Sequence, residues 1–302
     1  MKKWGFLLLI VLLLVVGSRY LGPYAQQENK LINEKRIVRE DSDTHKVADT
    51  VSNPFGNTKK IVVTQDQIYQ GNLLLVNKDY PVQQQSVKSD VVNLFKQNNM
   101  VKSYGLLDTN IRLSKSVAEQ FQKMIEVAES DGVNRFMISS GYRDFEEQEE
   151  LYQTKGSDYA LPAGYSEHNL GLSLDVGSTQ AEMSKAPEGK WLKENAWKYG
   201  FILRYPEDKT AITGIQYEPW HFRYVGTPHS VIMQEHNLTL EEYVDFLKEH
   251  GSISTTVAGK EYEVTYYPVS KRTTVKIPAN SQYEISGNNL DGVIITVELD
   301  GE

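Results

Sequence analysis

The chain has no cysteine among its 302 residues, which excludes disulfides, zinc sites built on thiolates, cysteine nucleophiles and attachment through a lipid-modified cysteine. Any metal ion must then be held by His, Asp and Glu. Histidine is itself scarce: six occur, His45, His168, His221, His229, His236 and His250. A basic excess is missing too. Lys and Arg number 32 against 40 Asp and Glu, a net charge of −8, whereas a nucleic-acid binder presents a basic domain or stripe; no nucleic-acid partner is expected. There is no internal repeat, no Gly-rich phosphate loop and no K-T-G, so the motif set of serine penicillin-binding enzymes is incomplete. What remains is ordinary globular composition, 40% hydrophobic and 24% charged, at a length suited to one large domain or two modest ones.

The N-terminus is built differently from the rest. Lys2 and Lys3 precede an apolar run from Trp4 to Val16 that reaches spanning length if extended through Leu21 with Arg19 snorkelling. No small-x-small cleavage site follows between Gly17 and Tyr24. Residues 1–22 therefore read as an uncleaved transmembrane anchor, with the lysines on the cytoplasmic side and the rest of the chain outside: a single-pass protein of the cell membrane. Residues 23–60 read as a flexible stalk, residues 61–250 as the catalytic domain, and residues 251–302, dense in Thr, Val, Ile and Tyr, as a small all-β appendage of unassigned role. No oligomer is predicted.

Within the central region Gln67 to Val82 carries the first strand signal. Leu113 to Gly132 reads as a helix capped by Ser114, followed by a strand at Arg135 to Ser140 and a short helix opened by Asp144 and Glu147 in capping-box spacing. A helix over Lys190 to Tyr199 stops at Gly200 and feeds the apolar stretch Phe201 to Leu203. Thr239 and Glu242 cap a last helix ending near His250. Strands and helices intersperse without a βαβ repeat, which indicates α+β rather than a doubly wound sheet.

Two of the six histidines keep suggestive company. Gly171 to Asp175 alternates, so that Gly171, Ser173 and Asp175 share one face and Leu172 and Leu174 the other. Small residues flanking a carboxylate suit an ion close to the backbone, and His168 just before this strand could supply a nitrogen to it. In the second cluster, Tyr217 to Val225, Pro219 interrupts the strand, and a break there could bring Glu218 and His221 to one side. Two imidazoles and one carboxylate suffice for a catalytic zinc with its fourth position open to water, leaving Glu218 to handle protons. The same residues also fit hydrogen-bonded structural histidines, and a turn-starting aspartate at 175.

These residues resemble a known family. Ser166 to Asp175 is similar to the S-x-H-x-x-G-x-A-x-D pattern, Glu218 to His221 to the E-x-W-H or E-x-x-H pattern, and Ser139-Ser140-Gly141-Tyr142-Arg143 to the S-G-Y-R element, of VanY-type D-alanyl-D-alanine carboxypeptidases of the glycopeptide-resistance type. The three occur in the family's order, within a resemblance running from about Gln67 to Leu247. It implies a compact antiparallel-sheet zinc peptidase domain with flanking helices. It implies Zn2+ held by His168, Asp175 and His221, with Glu218 as general base. Arg143 would stabilise the oxyanion or hold the substrate carboxylate, with an ion pair to Glu146 or Glu147 as the ordinary alternative. Gln148 and Ser166 would contact substrate, and Tyr205 and Trp220 would wall the pocket. The implied substrate is the peptidoglycan stem pentapeptide ending in D-Ala-D-Ala. Related specificities, a D,D-dipeptidase or an L,D-carboxypeptidase, and a non-catalytic wall-binding module are the rivals. Ser173 stands where the pattern has alanine, a small residue for a small one.

Overall fold

The structure is a computed structural model describing residues 57–97, 100–157 and 159–299. The anchor expected at 1–22 and nearly all of the stalk expected at 23–60 lie outside the described residues. Among the described residues no helix is long and apolar enough to cross a membrane. The first strand, β1 (Thr58–Thr64), corrects the stalk boundary: residues 58–60 pair in a ladder.

The expected strand at Gln67 to Val82 is corrected as well. A 3-10 turn occupies Gln65–Tyr69, and Leu73 to Val76, buried at 0–3% exposure, join no ladder. Their backbone groups are bonded elsewhere: Leu73 N–H donates to Ser286 Oγ at 2.8 Å and Leu75 N–H to Asn288 O at 3.2 Å. A buried backbone must find partners, and here a distant turn supplies them.

Strands β2 (Val91–Asn93), β3 (Gly105–Leu106) and β4 (Arg112–Ser114) lead into helix α1 (Lys115–Ser130). Ser114 caps it by accepting from Val117 N–H, and Val117, Phe121, Met124, Ile125 and Ala128 line one fully buried stripe. Strand β5 (Phe136–Ser140) precedes helix α2 (Phe145–Lys155), whose capping box is complete: Glu147 N–H donates to Asp144, and Asp144 N–H to the Glu147 carboxylate, both at 2.9 Å. Next come β6 (Ser173–Ser178) and α3 (Pro187–Asn195), then β7 (Phe201–Leu203) and β8 (His221–Tyr224). Helix α3 begins ahead of the expected Lys190 because Pro187 suits a first helical turn, where its missing N–H costs nothing. Helices α4 (His229–Glu235) and α5 (Leu240–His250) close this part, the latter with a Thr239/Glu242 capping box.

The sheet that matters for chemistry has the order β3-β5-β6-β8-β7. All its pairings are antiparallel except β3 with β5, so the expected antiparallel sheet is mixed at one edge. Leu172, Leu174, Val176 and Phe222 point into the core against the α1 stripe. The alternate residues of β6 and β8, Ser173, Asp175, His221 and Arg223, are thereby turned to the opposite face.

The tail forms β9 (Ser252–Val257), β10 (Lys260–Pro268), β11 (Arg272–Pro278), β12 (Tyr283–Gly287) and β13 (Gly292–Leu299). Four of these make a sheet of order β12-β13-β10-β9, while β11 pairs with β1. Residues 251–302 are not a separate appendage. Val264 and Ile294 share one apolar cluster with Leu73, Leu75, Ile202, Val225 and the α5 residues Tyr243, Val244 and Leu247, and residues 55–302 constitute one unit. The expected seam at 250/251 is not seen, because the tail buries its apolar face against residues of the preceding strands and of α5.

Candidate active site

The register of the central sheet sets Asp175 directly opposite His221 on the neighbouring strand, and Ser140 opposite Asp175 on its other side, past a bulge at Ser139. His168 comes from the 3-10 turn Glu167–Leu170 that precedes β6, a turn ended by Gly171 in the left-handed conformation. Around Pro219 the chain makes the tight turn expected there, with His221 N–H donating to Glu218 O at 3.1 Å. Three stretches far apart in sequence thus converge. One ligating atom from each of His168, Asp175 and His221 lies within 4.8 Å of the others.

The hydrogen bonds choose which ring nitrogens face the site. His168 Nδ1 lies 2.6 Å from Gly141 O, so it carries the proton, leaving Nε2 at 3.3 Å from Asp175 Oδ2. His221 Nε2 lies 3.4 Å from Glu167 Oε2, which makes it the donor and leaves Nδ1 at 3.0 Å from Asp175 Oδ1. Nε2 of His168 and Nδ1 of His221 are therefore the nitrogens that face the Asp175 carboxylate, the positions a metal ion would take over from a proton. The separations of 3.0 and 3.3 Å run to the two different oxygens of Asp175, so the carboxylate bridges the rings, and two imidazole nitrogens with one carboxylate are a donor set that zinc accepts. On donor chemistry and spacing the set fits a zinc ion.

The electrostatics agree with that fit. Burial raises the Asp175 carboxyl, but the adjacent His168 and His221 outweigh it and hold the group well below the usual carboxylate range. Burial and the Arg143 charge push His168 down. For His221, burial is outweighed by the hydrogen bonds its ring donates to the Asp175 and Glu167 carboxylates, and the ring is pushed up to about 9; proton and metal ion compete for the same nitrogen. Glu218 is the fourth group, its Oε2 3.8 Å from His221 Nδ1. Burial raises its carboxyl above the ordinary value, the direction required of a group that must hold a proton for part of a cycle.

Arg143 extends from the turn between β5 and α2. Its Nε donates to Gln148 Oε1 at 2.9 Å and its Nη1 to Ser140 Oγ at 2.7 Å. It is not paired with Glu146 or Glu147; Glu147 bonds Arg112 instead. Burial lowers the Arg143 guanidinium while Asp175 and Glu218 raise it, so it faces the same cluster.

The remaining expected residues divide. Tyr205 is buried, its ring centroid 5.0 Å from that of His221, and walls the site. Trp220, next to His221 in the chain, is 42% exposed. Gln148 is buried, Nε2 donating to Leu161 O at 2.6 Å while Oε1 accepts from Arg143 Nε at 2.9 Å, so it also supports Arg143. Ser166 is a buried turn hydroxyl accepting from His168 N–H at 3.3 Å, its ordinary capping role. One residue was not foreseen. Glu167, fully buried, binds His221, Ser173, Arg204 and Arg223. Its neighbour His168 was the only local sign, since its partners lie 6 to 56 residues away.

Comparison with known proteins places these features. The family model described as "VanY: D-alanyl-D-alanine carboxypeptidase" matches residues 110–227, which contain every expected site residue. A D-alanyl-D-alanine carboxypeptidase of Enterococcus faecium is 56% identical over 299 residues, covering 98% of this chain and 96% of that protein. A bifunctional D-Ala-D-Ala dipeptidase and D-Ala-D-Ala carboxypeptidase, VanXYC of Enterococcus gallinarum, is 35% identical over 195 residues, 59% of this chain and 95% of that one. Among solved structures, the vancomycin-resistance D,D-dipeptidase VanXYg in complex with a D-Ala-D-Ala phosphinate analogue superimposes with a TM-score of 0.70 at 37% identity, covering 81% of this chain and all of that one.

Proposed function

The chain belongs to the VanY family of D-alanyl-D-alanine carboxypeptidases, and on that premise we propose that it is a zinc-dependent hydrolase acting on peptidoglycan precursor stem pentapeptides. It removes the terminal D-alanine from the D-Ala-D-Ala ending and so contributes to vancomycin resistance. The observation that carries this reading is the meeting of His168, Asp175 and His221 within 4.8 Å, beside a partly buried Glu218 whose carboxyl is raised by burial.

Zinc held by His168, Asp175 and His221 would lower the pKa of a water molecule to about 7 and polarise the carbonyl of the penultimate residue. Glu218 accepts the proton that the attacking water loses and returns it to the amine of the departing D-alanine, so that water is added across the peptide C–N bond with no covalent enzyme intermediate. Arg143, fixed by Ser140 and Gln148, presents its remaining donors to an anionic oxygen: the substrate's terminal carboxylate or the oxyanion that develops during attack. Tyr205 closes the wall beside His221, and Trp220 offers an exposed aromatic face.

The apolar run Trp4 to Val16 behind Lys2 and Lys3 supports a single-pass anchor that keeps the catalytic unit at the outer face of the cell membrane. Protease treatment of intact cells, which should remove the catalytic unit, tests that placement.

The deciding experiment is a substrate panel of pentapeptide, free D-Ala-D-Ala and tetrapeptide, read as released amino acid before and after chelation. D-alanine release from the pentapeptide that is abolished by chelator and restored by zinc is expected; release that survives complete metal removal would overturn the mechanism. The dipeptide arm tests a second reading, dipeptidase activity, favoured by the likeness to VanXYg.

A further inference from the structure

Behind the metal-ligand cluster lies a buried group of four charges that the reaction does not use. Glu167, Arg204 and Arg223 all have side chains at 0% exposure, and Glu241 on α5 is at 14%. Glu167 Oε1 accepts from Arg204 Nε at 2.8 Å and from Arg223 Nη1 at 2.7 Å. Its other oxygen, Oε2, accepts from Ser173 Oγ at 3.1 Å and faces His221 Nε2 at 3.4 Å. Arg204 in turn is held in a fork by Glu241, at 2.9 and 2.7 Å. Arg223 donates its Nη2 to the carbonyls of Asn72 and Leu74 at 3.0 and 2.9 Å. Every oxygen of Glu167 is thus occupied, and its orientation is fixed from two sides.

We infer that Glu167 is the positioning residue of the metal centre: its Oε2 holds the His221 imidazole by the Nε2 proton, which fixes Nδ1 as the ligating atom and keeps the ring aimed at Asp175. The inference rests on the metal-centre reading given above. The physical argument is that a ring free to flip or to change tautomer presents a lone pair to the ion only part of the time, and a carboxylate bonded to the far nitrogen removes that freedom and makes the near nitrogen a stronger donor. His168 has only the neutral Gly141 carbonyl in this role, so the two ligand histidines are held unequally, His221 by the stronger, charged acceptor. The Ser173 hydroxyl steers Oε2, which assigns a use to the serine standing where the family pattern has alanine. The support extends into the tail. The backbone segment that anchors Arg223 is itself clamped by Ser286, Asn288 and Asn289, the last donating Nδ2 to Leu75 O at 2.9 Å.

The test compares the full chain with its Glu167→Gln variant. Zinc affinity is measured by competition with a chelator, the Co2+-substituted protein by its absorption spectrum, and folding by circular dichroism and melting. In a folded variant the expected result is about 10- to 100-fold weaker zinc binding, displaced Co2+ bands, and a lower kcat with KM for the pentapeptide within about twofold, because a buried Glu167 touches no substrate. A folded variant with parental zinc affinity and an unchanged Co2+ spectrum overturns the role. Should Glu167→Gln fail to fold, long-range 15N spectra of the parent decide. A slowly exchanging His221 Nε2 proton, together with an Nδ1 resonance that moves on zinc addition, supports the role. An Nε2 without a proton refutes it even if zinc binds, whereas zinc that shifts neither ligand imidazole removes the proposed function itself.

Discussion

His221 and His229 are equally buried, each at 4% exposure, yet the regions around them treat an imidazole in opposite ways. At the sheet, His221 lies between the carboxylates of Asp175 and Glu167 and is pushed up to about 9. Where α4 meets α5 and the tail, His229 lies between two neutral hydroxyls, Tyr243 OH at 2.8 Å from Nδ1 and Thr296 Oγ1 at 3.0 Å from Nε2. Burial alone then pushes it down to about 3. Burial and satisfied hydrogen bonds are common to both. What separates a metal ligand from a structural pin is anionic company: carboxylates that attract a proton also attract a dication, while hydroxyls only satisfy a neutral ring.

If that contrast is right, chemistry and stability should be separable by region. Glu218→Ala carries the largest expected effect, a fall of about 10³- to 10⁴-fold in kcat, near the upper range for a general acid–base, with zinc content and melting temperature unchanged. Loss of bound zinc in that variant would show Glu218 to be a ligand and blur the division. Arg143→Ala comes next, at about 10²- to 10³-fold in kcat/KM, and Arg143→Lys should recover only part of it because an ammonium lacks the fork that Gln148 and Ser140 hold in place. Full recovery in the lysine variant would reduce Arg143 to a point charge.

The other region predicts the reverse pattern. His229→Phe leaves the Tyr243 and Thr296 hydroxyls unpartnered in the interior, an expected loss of about 2–3 kcal/mol. Denaturant unfolding measures that loss, and the remaining folded enzyme should retain parental kcat. A fall in kcat at unchanged stability would mean that the tail contact reaches the chemistry.

The two regions also differ in how far they could be read without coordinates. The metal cluster was legible because its residues sit in short patterns: the alternation at 171–175, the proline before His221 and the caps at Asp144 and Thr239 are local, and local rules set turns and faces. The support behind it was not. Glu167 finds its partners at 173, 204, 221 and 223, and no periodicity links an acid to arginines in distant parts of the chain. Leu73 to Val76 imitates a strand because its apolar run is the same whether the backbone pairs with a ladder or with a turn near residue 288. The supposed appendage imitates an independent module for a similar reason, since alternation shows which side of a strand is buried but not what covers it. That Gln148 accepts from Arg143 is likewise not written in any local pattern.

The finest discrimination between the regions is by pH. For His229 the folded value of about 3 lies below the ordinary 6.5. Between those values the unfolded chain binds a proton that the native ring refuses, so stability falls as the solution is acidified through the window and is unaffected by this group above it. The slope is about 1.4 kcal/mol per pH unit at most, which makes the loss at pH 5 roughly 2 kcal/mol. His229→Gln cannot titrate. Its unfolding free energy should be lower than the parent's at pH 7 yet drop less on going to pH 5, by about that 2 kcal/mol, with every other titrating group cancelling in the difference. Equal drops in the two proteins would mean that His229 takes up its proton without unfolding, and the neutral hydroxyl setting would then no longer distinguish it from His221.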